Sequence, residues 1–274
     1  MAIETALLVV SCDRYRDLWV PFFTLLFRYW PDCPYPVFLG SNNETFPDRR
    51  VIPLAVGTDI DWSTNLRRML DGIPVDGILL LQEDFLIDRP VETERIRGLI
   101  GYAAAKDAAC LRLMPIPGPD QPCADHPEIG EIRKGAAYRV SLQAAWWRKE
   151  SLAAVLAAGE SPWQFERLGS RRSDDLAAPF LSLREGVDFP LDYYTTAVFR
   201  GYWEPEAVAL CRREHIPVDL RARAVMPLGM RVERTLRTWG IPDRAARWLA
   251  LPFRARARAL RAGTSPESSG SVRK

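Results

Sequence analysis

The stretch Gly77–Ile87 constrains the fold most, because it places two charges directly after a strongly apolar run. Its four consecutive aliphatic residues, Ile78–Leu81, have the pattern of a strand that is buried on both faces. Glu83 and Asp84 follow, and three apolar residues come after them. Burying a carboxylate costs free energy unless it is paired or coordinates a cation. Since open α/β sheets bind ligands at the carboxyl ends of their strands, the sequence predicts a ligand site at these two acids.

Glu83 and Asp84 are also candidate ligands of a divalent cation. Hard cations such as Mg²⁺ prefer oxygen ligands, and proteins often hold Mg²⁺ with one or two carboxylates together with the phosphates of a substrate. The residue types and their position therefore predict a metal–diphosphate site. The alternative is that the two acids cap the strand and face water.

Strand-like and helix-like spacings alternate along the first part of the chain. Short apolar runs typical of buried strands lie at 5–11, 36–40, 51–54, 77–81 and 108–113. Apolar residues at helical spacing lie at 18–29, 61–71 and 92–106. Strands that alternate with helices over short connections predict an α/β fold, in which a mostly parallel central sheet is flanked by helices.

The second half of the chain continues this pattern after a loop rich in Pro, Gly and Asp at 115–128. A strand is predicted over 137–147, because its residues first alternate and then run apolar. Further helices are predicted at 151–158, from Ser161 and at 204–213, and strand-like runs at 180–183 and 193–199. The Ser-Pro start at Ser161 matches an N-cap followed by proline at the first helical position.

Composition excludes several classes of protein. The chain has 47% hydrophobic and 26% charged residues, which is ordinary for a globular protein. It has no apolar run of about 18 residues, so no spanning helix is predicted. The five cysteines form no CxxC pair, and the two histidines are far apart in sequence, which argues against a zinc or disulfide framework. The short apolar run near the N-terminus follows no basic segment, so a first strand in a cytoplasmic protein is predicted instead of a signal peptide.

Charge divides the chain into an acidic body and a basic end. Residues 219–274 contain 13 Arg or Lys and 4 Asp or Glu, a net charge of +9, which leaves −7 for residues 1–218. We therefore predict an α/β domain at 1–218, a basic amphipathic helical extension at 219–262 and a disordered tail at 263–274. The acidic body argues against a nucleic-acid partner.

The basic extension suggests a membrane surface as a partner. Apolar and aromatic residues are interleaved with arginines over residues 230–262, a pattern typical of helices that lie on anionic lipid. The alternative is that these helices pack on the body, where the arginines face solvent or its acids.

Four segments carry a resemblance to a known family. In chain order they are Ser11–Tyr15 after the first strand, Asp61–Arg68 before the central strand, Gln82–Asp84 at its end and Trp163–Glu166 at a helix start. Their order and spacing resemble the GT-A class of nucleotide-sugar-dependent glycosyltransferases, in particular bacterial polysaccharide-type members. The likeness covers roughly residues 5–170. Gln82 departs from it, because an amide replaces the first acid of the Asp-x-Asp motif of that class.

The resemblance implies roles for ten residues. Asp84, with Glu83 second, would bind the metal, and Glu166 would be the catalytic base. The remaining candidates would bind the nucleotide and donor (Asp13, Tyr15, Asn65, Arg67 and Gln82) or line the acceptor side (Trp163 and His126). Several of these candidates also have a structural alternative: a helix cap for Asp13, core packing for Tyr15, a solvated face for Arg67 and a loop position without a role for His126.

The function implied is transfer of a sugar from a nucleotide-sugar donor to a hydroxyl of a glycan or lipid-linked acceptor in bacterial surface polysaccharide synthesis. Transfer would be inverting and dependent on Mg²⁺ or Mn²⁺, in the cytoplasm at the inner face of the membrane. One alternative is a nucleotidyltransferase, although its usual glycine-rich phosphate loop is absent after the first strand. The other is a catalytically degenerate nucleotide-sugar-binding protein, which Gln82 keeps open.

Overall fold

A computed structural model describes residues 3–194 and 196–238 of the chain. The predictions for residues 239–262 and for the tail at 263–274 lie outside the described residues. The strands that it describes are β1 (Thr5–Val10), β2 (Val37–Ser41), β3 (Val51–Ala55), β4 (Gly77–Gln82), β5 (Leu86–Ile87), β6 (Cys110–Arg112), β7 (Gln121–Pro122), β8 (Ile129–Glu131), β9 (Ala145–Arg148), β10 (Phe180–Leu183), β11 (Tyr193–Tyr194), β12 (Val198–Phe199) and β13 (Tyr202–Trp203).

The α-helices lie mostly between these strands. They are α1 (Trp19–Tyr29), α2 (Trp62–Asp71), α3 (Thr93–Ala105), α4 (Lys149–Val155), α5 (Pro162–Gln164), α6 (Ser170–Arg172), α7 (Pro205–Arg213) and α8 (Leu228–Thr238). A 3₁₀ turn at Asp13–Leu18 precedes α1, and a π-helical turn at Phe165–Gly169 joins α5 to α6. The residue types of Asp61 and Ser63 both suit a helix cap before α2. The structure has Asp61 as the N-cap, and its carboxylate accepts a hydrogen bond from the Thr64 N–H group.

Nine strands form one mixed sheet in the order β3-β2-β1-β4-β9-β6-β10-β8-β7. Within it, β8 and β9 run against the other seven strands. The predicted α/β class, with a mostly parallel sheet and flanking helices, is therefore confirmed. The carboxyl ends of β1, β2 and β4 meet at one edge, because these three strands pair in parallel.

Helices cover both faces of the sheet, which explains why its central strands are continuous apolar runs. Successive side chains of a strand point to opposite faces. Leu79 and Leu81 join the apolar cluster that includes α1 and α3, whereas Ile78 and Leu80 join the one that includes α2 and α4. Burying each such side chain stabilises the fold by roughly 1.5–3 kcal/mol. β4 is thus a rigid support for the acids that follow it.

The strand predicted over 137–147 is mostly wrong, because only Ala145–Arg148 pairs in the sheet. The preceding backbone donates to side chains instead of a neighbouring strand. The N–H groups of Val140, Leu142 and Ala144 bond Ser170 Oγ, Glu166 Oε1 and Tyr193 Oη, respectively. Alternating apolar residues therefore accompany a buried loop here.

The described part of the predicted basic extension packs on the α/β domain. Trp203 in β13 bonds this segment through two backbone hydrogen bonds, with Ala224 and Met226. In α8, Glu233 is 3% exposed and lies 3.7 Å from an arginine of the β12–β13 turn, Arg200. No helix among the described residues is long and apolar enough to cross a bilayer.

Candidate functional site

Two loops meet at the carboxyl edge of the sheet and are joined by Asp13. The Asp13 carboxylate accepts hydrogen bonds from the N–H groups of Asn42, Asn43 and Glu44, at 3.0–3.2 Å. The Asp13 N–H group in turn donates to Asn42 Oδ1. Asp13 therefore ties the loop after β1 to the loop after β2, and these contacts fix its position.

Glu83 and Asp84 lie in the turn after β4, beside these loops. Burial raises the pKa of Glu83 well above its usual range, and the adjacent charge of Asp84 raises it further. Burial also raises the pKa of Asp84 to about 7, although the Val198 N–H group and the charge of Arg223 act in the opposite direction. Desolvation disfavours the charged form of a carboxyl group, and the charge of Arg223 offsets this effect only in part for the two acids.

Arg223 is the cation that faces these acids, and the sequence analysis did not single it out. Its Nε and Nη2 atoms bond the two oxygens of Asp17, at 2.8 and 3.0 Å. The guanidinium carbon lies 4.5 Å from the centre of the Tyr15 ring. Arg223 and Asp17 are each 9% exposed at the side chain. Nothing in the sequence distinguishes Arg223 from the exposed Arg221, two residues earlier.

Tyr15 and Cys12 line the same cluster. Burial raises the pKa of both side chains, and the charge of Glu83 is the next largest cause for each. Both groups therefore lie within electrostatic reach of Glu83. The segment after β1 thus lies near the acids after β4.

Gln82 and Asn65 each carry a buried polar atom that no described residue satisfies. The Gln82 Nε2 donor and the Asn65 Oδ1 acceptor have no hydrogen-bond partner in the described part of the chain, whereas Asn65 Nδ2 donates to Asp59 at 2.7 Å. A buried unsatisfied polar group costs roughly 1–3 kcal/mol. Such groups at a candidate site are available for a ligand.

Arg67 is engaged in a contact between helices. Its Nη2 atom donates to the carbonyl groups of Ala153 in α4 and Leu156 after it, at 2.8 and 3.1 Å. This contact ties α2 to α4. The sequence predicts that Arg67 binds the nucleotide-sugar donor. These hydrogen bonds give it an alternative role, in which it joins α2 to α4.

Glu166 lies in the π-helical turn after α5. Its Oε1 atom accepts hydrogen bonds from the Leu142 N–H group at 2.9 Å and from Ser141 Oγ at 3.3 Å. Trp163, one turn earlier, is 74% exposed. The capping box of Ser161 and Gln164 fixes the start of this segment. The carboxylate is thus held on the loop before β9, next to an exposed aromatic side chain.

Tyr193 connects the Glu166 loop to the acids after β4. Its ring stacks on Phe85, with centroids 4.5 Å apart. Its hydroxyl accepts from the Ala144 N–H group at 2.9 Å and donates to Gln143 Oε1 at 2.8 Å. Burial raises the pKa of Tyr193, and the charge of Asp84 is a smaller cause in the same direction. Tyr193 lay in a predicted strand, but no sequence signal pointed to this bridging role.

His126 lies apart from this cluster in its described contacts. Its Nδ1 atom accepts from the Glu128 N–H group, and its ring packs against Tyr102 at 4.6 Å. Neither partner is a residue of the cluster formed by Glu83, Asp84 and Arg223. The predicted acceptor-side role of His126 has no support from these contacts.

The carboxylate oxygens of Glu83 and Asp84 fit a divalent cation that binds together with a phosphate. No group of three or more His, Cys, Asp or Glu able to hold a metal occurs among residues 3–194 and 196–238. Glu83 and Asp84 supply two carboxylates on adjacent residues, and Mg²⁺ commonly completes such a set with water and substrate phosphates. The two acids therefore suit a metal bound together with its substrate.

Comparison with known proteins finds only distant structural similarity. No family model and no curated protein sequence matches the chain. Solved structures that resemble it include Staphylococcus aureus TarS (15% identity, TM-score 0.48, 80% of this chain) and Drosophila β1,4-galactosyltransferase 7 in complex with manganese, UDP-Gal and xylobiose (13%, 0.38, 72% of each chain). A Thermus thermophilus cytidylyltransferase is also similar (12%, 0.42, 78% of this chain and 99% of that one). The matched region spans 40% of the TarS chain.

These structures include both a glycosyltransferase and a nucleotidyltransferase. One TarS fragment is in complex with UDP-GlcNAc. At these identities and TM-scores the similarity does not bear on substrate or reaction.

Proposed function

We propose that the protein is a glycosyltransferase that moves a sugar from a nucleotide-sugar donor to a hydroxyl of a glycan or lipid-linked acceptor. The observation that carries the proposal is the pair of acids at the carboxyl end of β4, of which Glu83 is buried and Asp84 is partly buried. Burial has raised the pKa of both, and an unsatisfied Gln82 amide lies beside them. Such a site is suited to a cation with a diphosphate.

The donor half of the reaction uses the residues after β1 and β4. Asp84, with Glu83 second, would hold Mg²⁺ or Mn²⁺. When bound, that cation would neutralise the charge that builds on the departing diphosphate. The unsatisfied amide of Gln82 would bind a donor hydroxyl, and Asn65 Oδ1 would accept from another group of the donor. Tyr15 and Asp13 shape the loop on which the nucleotide lies.

The acceptor half uses the turn after α5. Glu166 would accept the proton of the attacking acceptor hydroxyl as general base. Its two hydrogen bonds, from Leu142 and Ser141, fix the orientation of the carboxylate. The exposed ring of Trp163 would stack on an acceptor sugar. Direct attack assisted by such a base inverts the anomeric centre, so we propose an inverting, single-addition, hexosyltransferase-like enzyme.

The cellular setting belongs to the same proposal. A lipid-linked acceptor in bacterial surface polysaccharide synthesis would place the enzyme in the cytoplasm, at the inner face of the membrane. Among the described arginines of α8, Arg231 and Arg234 are paired with Glu206 and Glu204. The proposed contact of residues 230–262 with anionic lipid therefore falls chiefly on residues 239–262, outside the described part.

Ligand-dependent thermal stabilisation tests the donor class. Wild type, Asp84→Ala and the control Glu94→Ala, whose carboxylate is exposed on α3, are screened with nucleoside diphosphates and nucleotide sugars, with and without Mg²⁺ or Mn²⁺. A ligand that binds the folded protein raises its melting temperature. We expect one nucleotide to act in wild type and Glu94→Ala, to need the metal, and to lose its effect in Asp84→Ala.

Product analysis then separates the reactions. A glycosyltransferase releases a nucleoside diphosphate from its nucleotide sugar, slowly to water and faster with an acceptor. A nucleotidyltransferase instead releases pyrophosphate from a nucleoside triphosphate in the presence of a sugar phosphate. Pyrophosphate release, or stabilisation by a nucleotide sugar without any turnover, would contradict the proposed transfer.

A further inference from the structure

Arg223 reaches the site from the far end of the chain, and the backbone fixes its approach. The segment that carries it bonds β13, where the Trp203 N–H group donates to Ala224 and the Met226 N–H group donates to Trp203. The hairpin of β12 and β13 is itself tied to the acids, because the Ala197 N–H group donates to the carbonyl of Asp84 at 3.0 Å. The hairpin of β12 and β13 thus contacts both the segment of Arg223 and the backbone of Asp84.

Asp17 sets the orientation of the guanidinium. It engages Nε and Nη2, and the Arg14 carbonyl accepts a further bond from Nη2 at 3.3 Å. Among the described residues, Nη1 takes part in no hydrogen bond, so its two N–H groups are unused. An arginine held on one edge by a carboxylate, with its other edge unused, is preorganised to bind a second anion.

The balance of charges around Arg223 allows an anion and a cation to bind together. Asp17 matches the charge of Arg223, and that leaves Glu83 and Asp84 to be matched by a bound cation. A polyphosphate bound with its cation therefore meets Arg223 on one side and the cation on the other. If Arg223 only joined the segment after α7 to the rest of the domain, it would not need the unused N–H groups of Nη1.

We propose that Arg223 binds the diphosphate of the donor through Nη1, and that the segment after α7 thereby completes the donor site. The inference rests on the proposed function for its ligand. Arg223 contacts the leaving group and stabilises the charge that develops there, while Asp17 is a positioning residue that acts through Arg223. The oxygens of the diphosphate are acceptors that the guanidinium fork can bind in pairs.

Binding of simple probes tests this inference without need of the acceptor. Inorganic pyrophosphate and the nucleoside diphosphates UDP, GDP, CDP, ADP and TDP are titrated by calorimetry, with Mg²⁺ present, into wild type, Arg223→Gln and Arg221→Gln. Arg221 lies in the same segment and is exposed, so its variant removes the same formal charge without touching the site. We expect Arg223→Gln to bind about 10- to 100-fold more weakly, the effect of losing a hydrogen bond to a charged group, and Arg221→Gln to bind as wild type does.

The outcomes separate the two proposals. Wild-type affinity in a folded Arg223→Gln protein would overturn the role of Arg223 and leave the proposed function standing. Absence of binding of every probe to wild type would overturn both. Equal weakening in Arg221→Gln would also overturn the inference, since the effect would then come from overall charge.

A second variant guards against unfolding. Arg223→Gln leaves the buried Asp17 without its partner, so its fold is checked by far-ultraviolet circular dichroism. Asp17→Asn with Arg223→Gln removes both charges and keeps similar side-chain shapes. We expect this double variant to fold and to show the same 10- to 100-fold loss of pyrophosphate affinity, whereas wild-type affinity in it would overturn the inference.

Discussion

The acids after β4 and the acid after α5 differ in how their surroundings satisfy their charges. Glu83 is buried and the adjacent Asp84 is partly buried, and desolvation raises the pKa of both. The Glu166 carboxylate instead accepts two hydrogen bonds from the loop that it packs against. The first pair is therefore poorly solvated in its charged form, whereas the Glu166 carboxylate is held in place by its hydrogen bonds. This difference fits the proposed roles of the pair in ligand binding and of Glu166 in proton transfer.

The largest effect is expected at the pair. Asp84→Asn keeps the shape of the side chain and removes the charge that would hold the cation. We expect the rate of sugar transfer to fall by about 10³-fold, similar to the loss of a main electrostatic group in other active sites. Steady-state release of nucleoside diphosphate from the nucleotide sugar measures it. Glu94→Gln is the matched control on the exposed face of α3. A transfer rate of Asp84→Asn close to that of Glu94→Gln would contradict the proposed role of Glu83 and Asp84.

Glu166→Gln should have a similar or slightly smaller effect, confined to the chemical step. The Gln side chain can still accept from the Leu142 N–H group but cannot take a proton, so we expect a 10²- to 10³-fold fall in transfer rate. Donor affinity and the melting temperature should stay close to those of wild type. Isothermal titration with the donor, beside the rate assay, checks the split. A fall in donor affinity as large as the fall in rate would place Glu166 with the binding residues instead.

The pair also predicts how the stability of the metal-free protein depends on pH. The pKa of Asp84 is raised from 3.8 to about 7 on folding. The folded state therefore holds its proton more tightly than the unfolded state, and the stability that this proton contributes is full below about pH 4 and is lost as pH rises through about 7. Urea denaturation in EDTA at several pH values between 4 and 8 measures the slope. Asp84→Asn should flatten it, and an unchanged slope in that variant would assign the dependence to other groups.

Tyr193→Phe tests whether Tyr193 holds the loop before β9 against the turn after β4. The change removes the hydroxyl that bonds Ala144 and Gln143 and leaves the buried Ala144 N–H group unsatisfied. We expect a loss of about 1–3 kcal/mol in the free energy of unfolding. Urea denaturation provides the measurement, with Tyr138→Phe as a control at an exposed tyrosine. Equal stability in the two variants would mean that the loop before β9 is held without Tyr193.

The smallest effect is expected at Arg67. Its guanidinium bonds two carbonyl groups at the end of α4, so Arg67→Gln should lower stability by about 1 kcal/mol and leave donor affinity unchanged. Thermal unfolding and donor titration measure the two quantities. A clear loss of donor affinity would instead support the diphosphate role that the family resemblance implies for Arg67.

The sequence alone predicts the parts of this molecule that depend on local pattern. The apolar run of β4 forms a strand that is buried on both faces, and the acids after it form a charged turn. Successive side chains of a strand point to opposite faces, so a continuous apolar run fits few other structures. The cap of α2 at Asp61 follows from a similarly local rule. The failure at residues 137–144 has a local cause too: the pattern is strand-like, but side chains such as Ser170 and Glu166 take up the backbone donors.

The contacts that unite the candidate site could not be predicted in this way. Arg223 and Asp17 are separated by 206 residues, and Tyr193 meets Ala144 across 49. No spacing rule joins residues at such distances, and Arg223 lies in a segment whose composition favours a solvated or lipid-facing surface. Only the packed fold distinguishes Arg223 from Arg221.

The ion pair of Asp17 and Arg223 has a consequence for synthesis on the ribosome. Asp17 leaves the exit tunnel 206 residues before its counter-ion does. Domains begin to fold from the N-terminus as they emerge, at about 5–20 residues per second. The growing chain can therefore assemble β1 to β4 while Asp17 still lacks its partner. A product that stops short of Arg223 would keep the sheet but leave Asp17 as an unmatched charge.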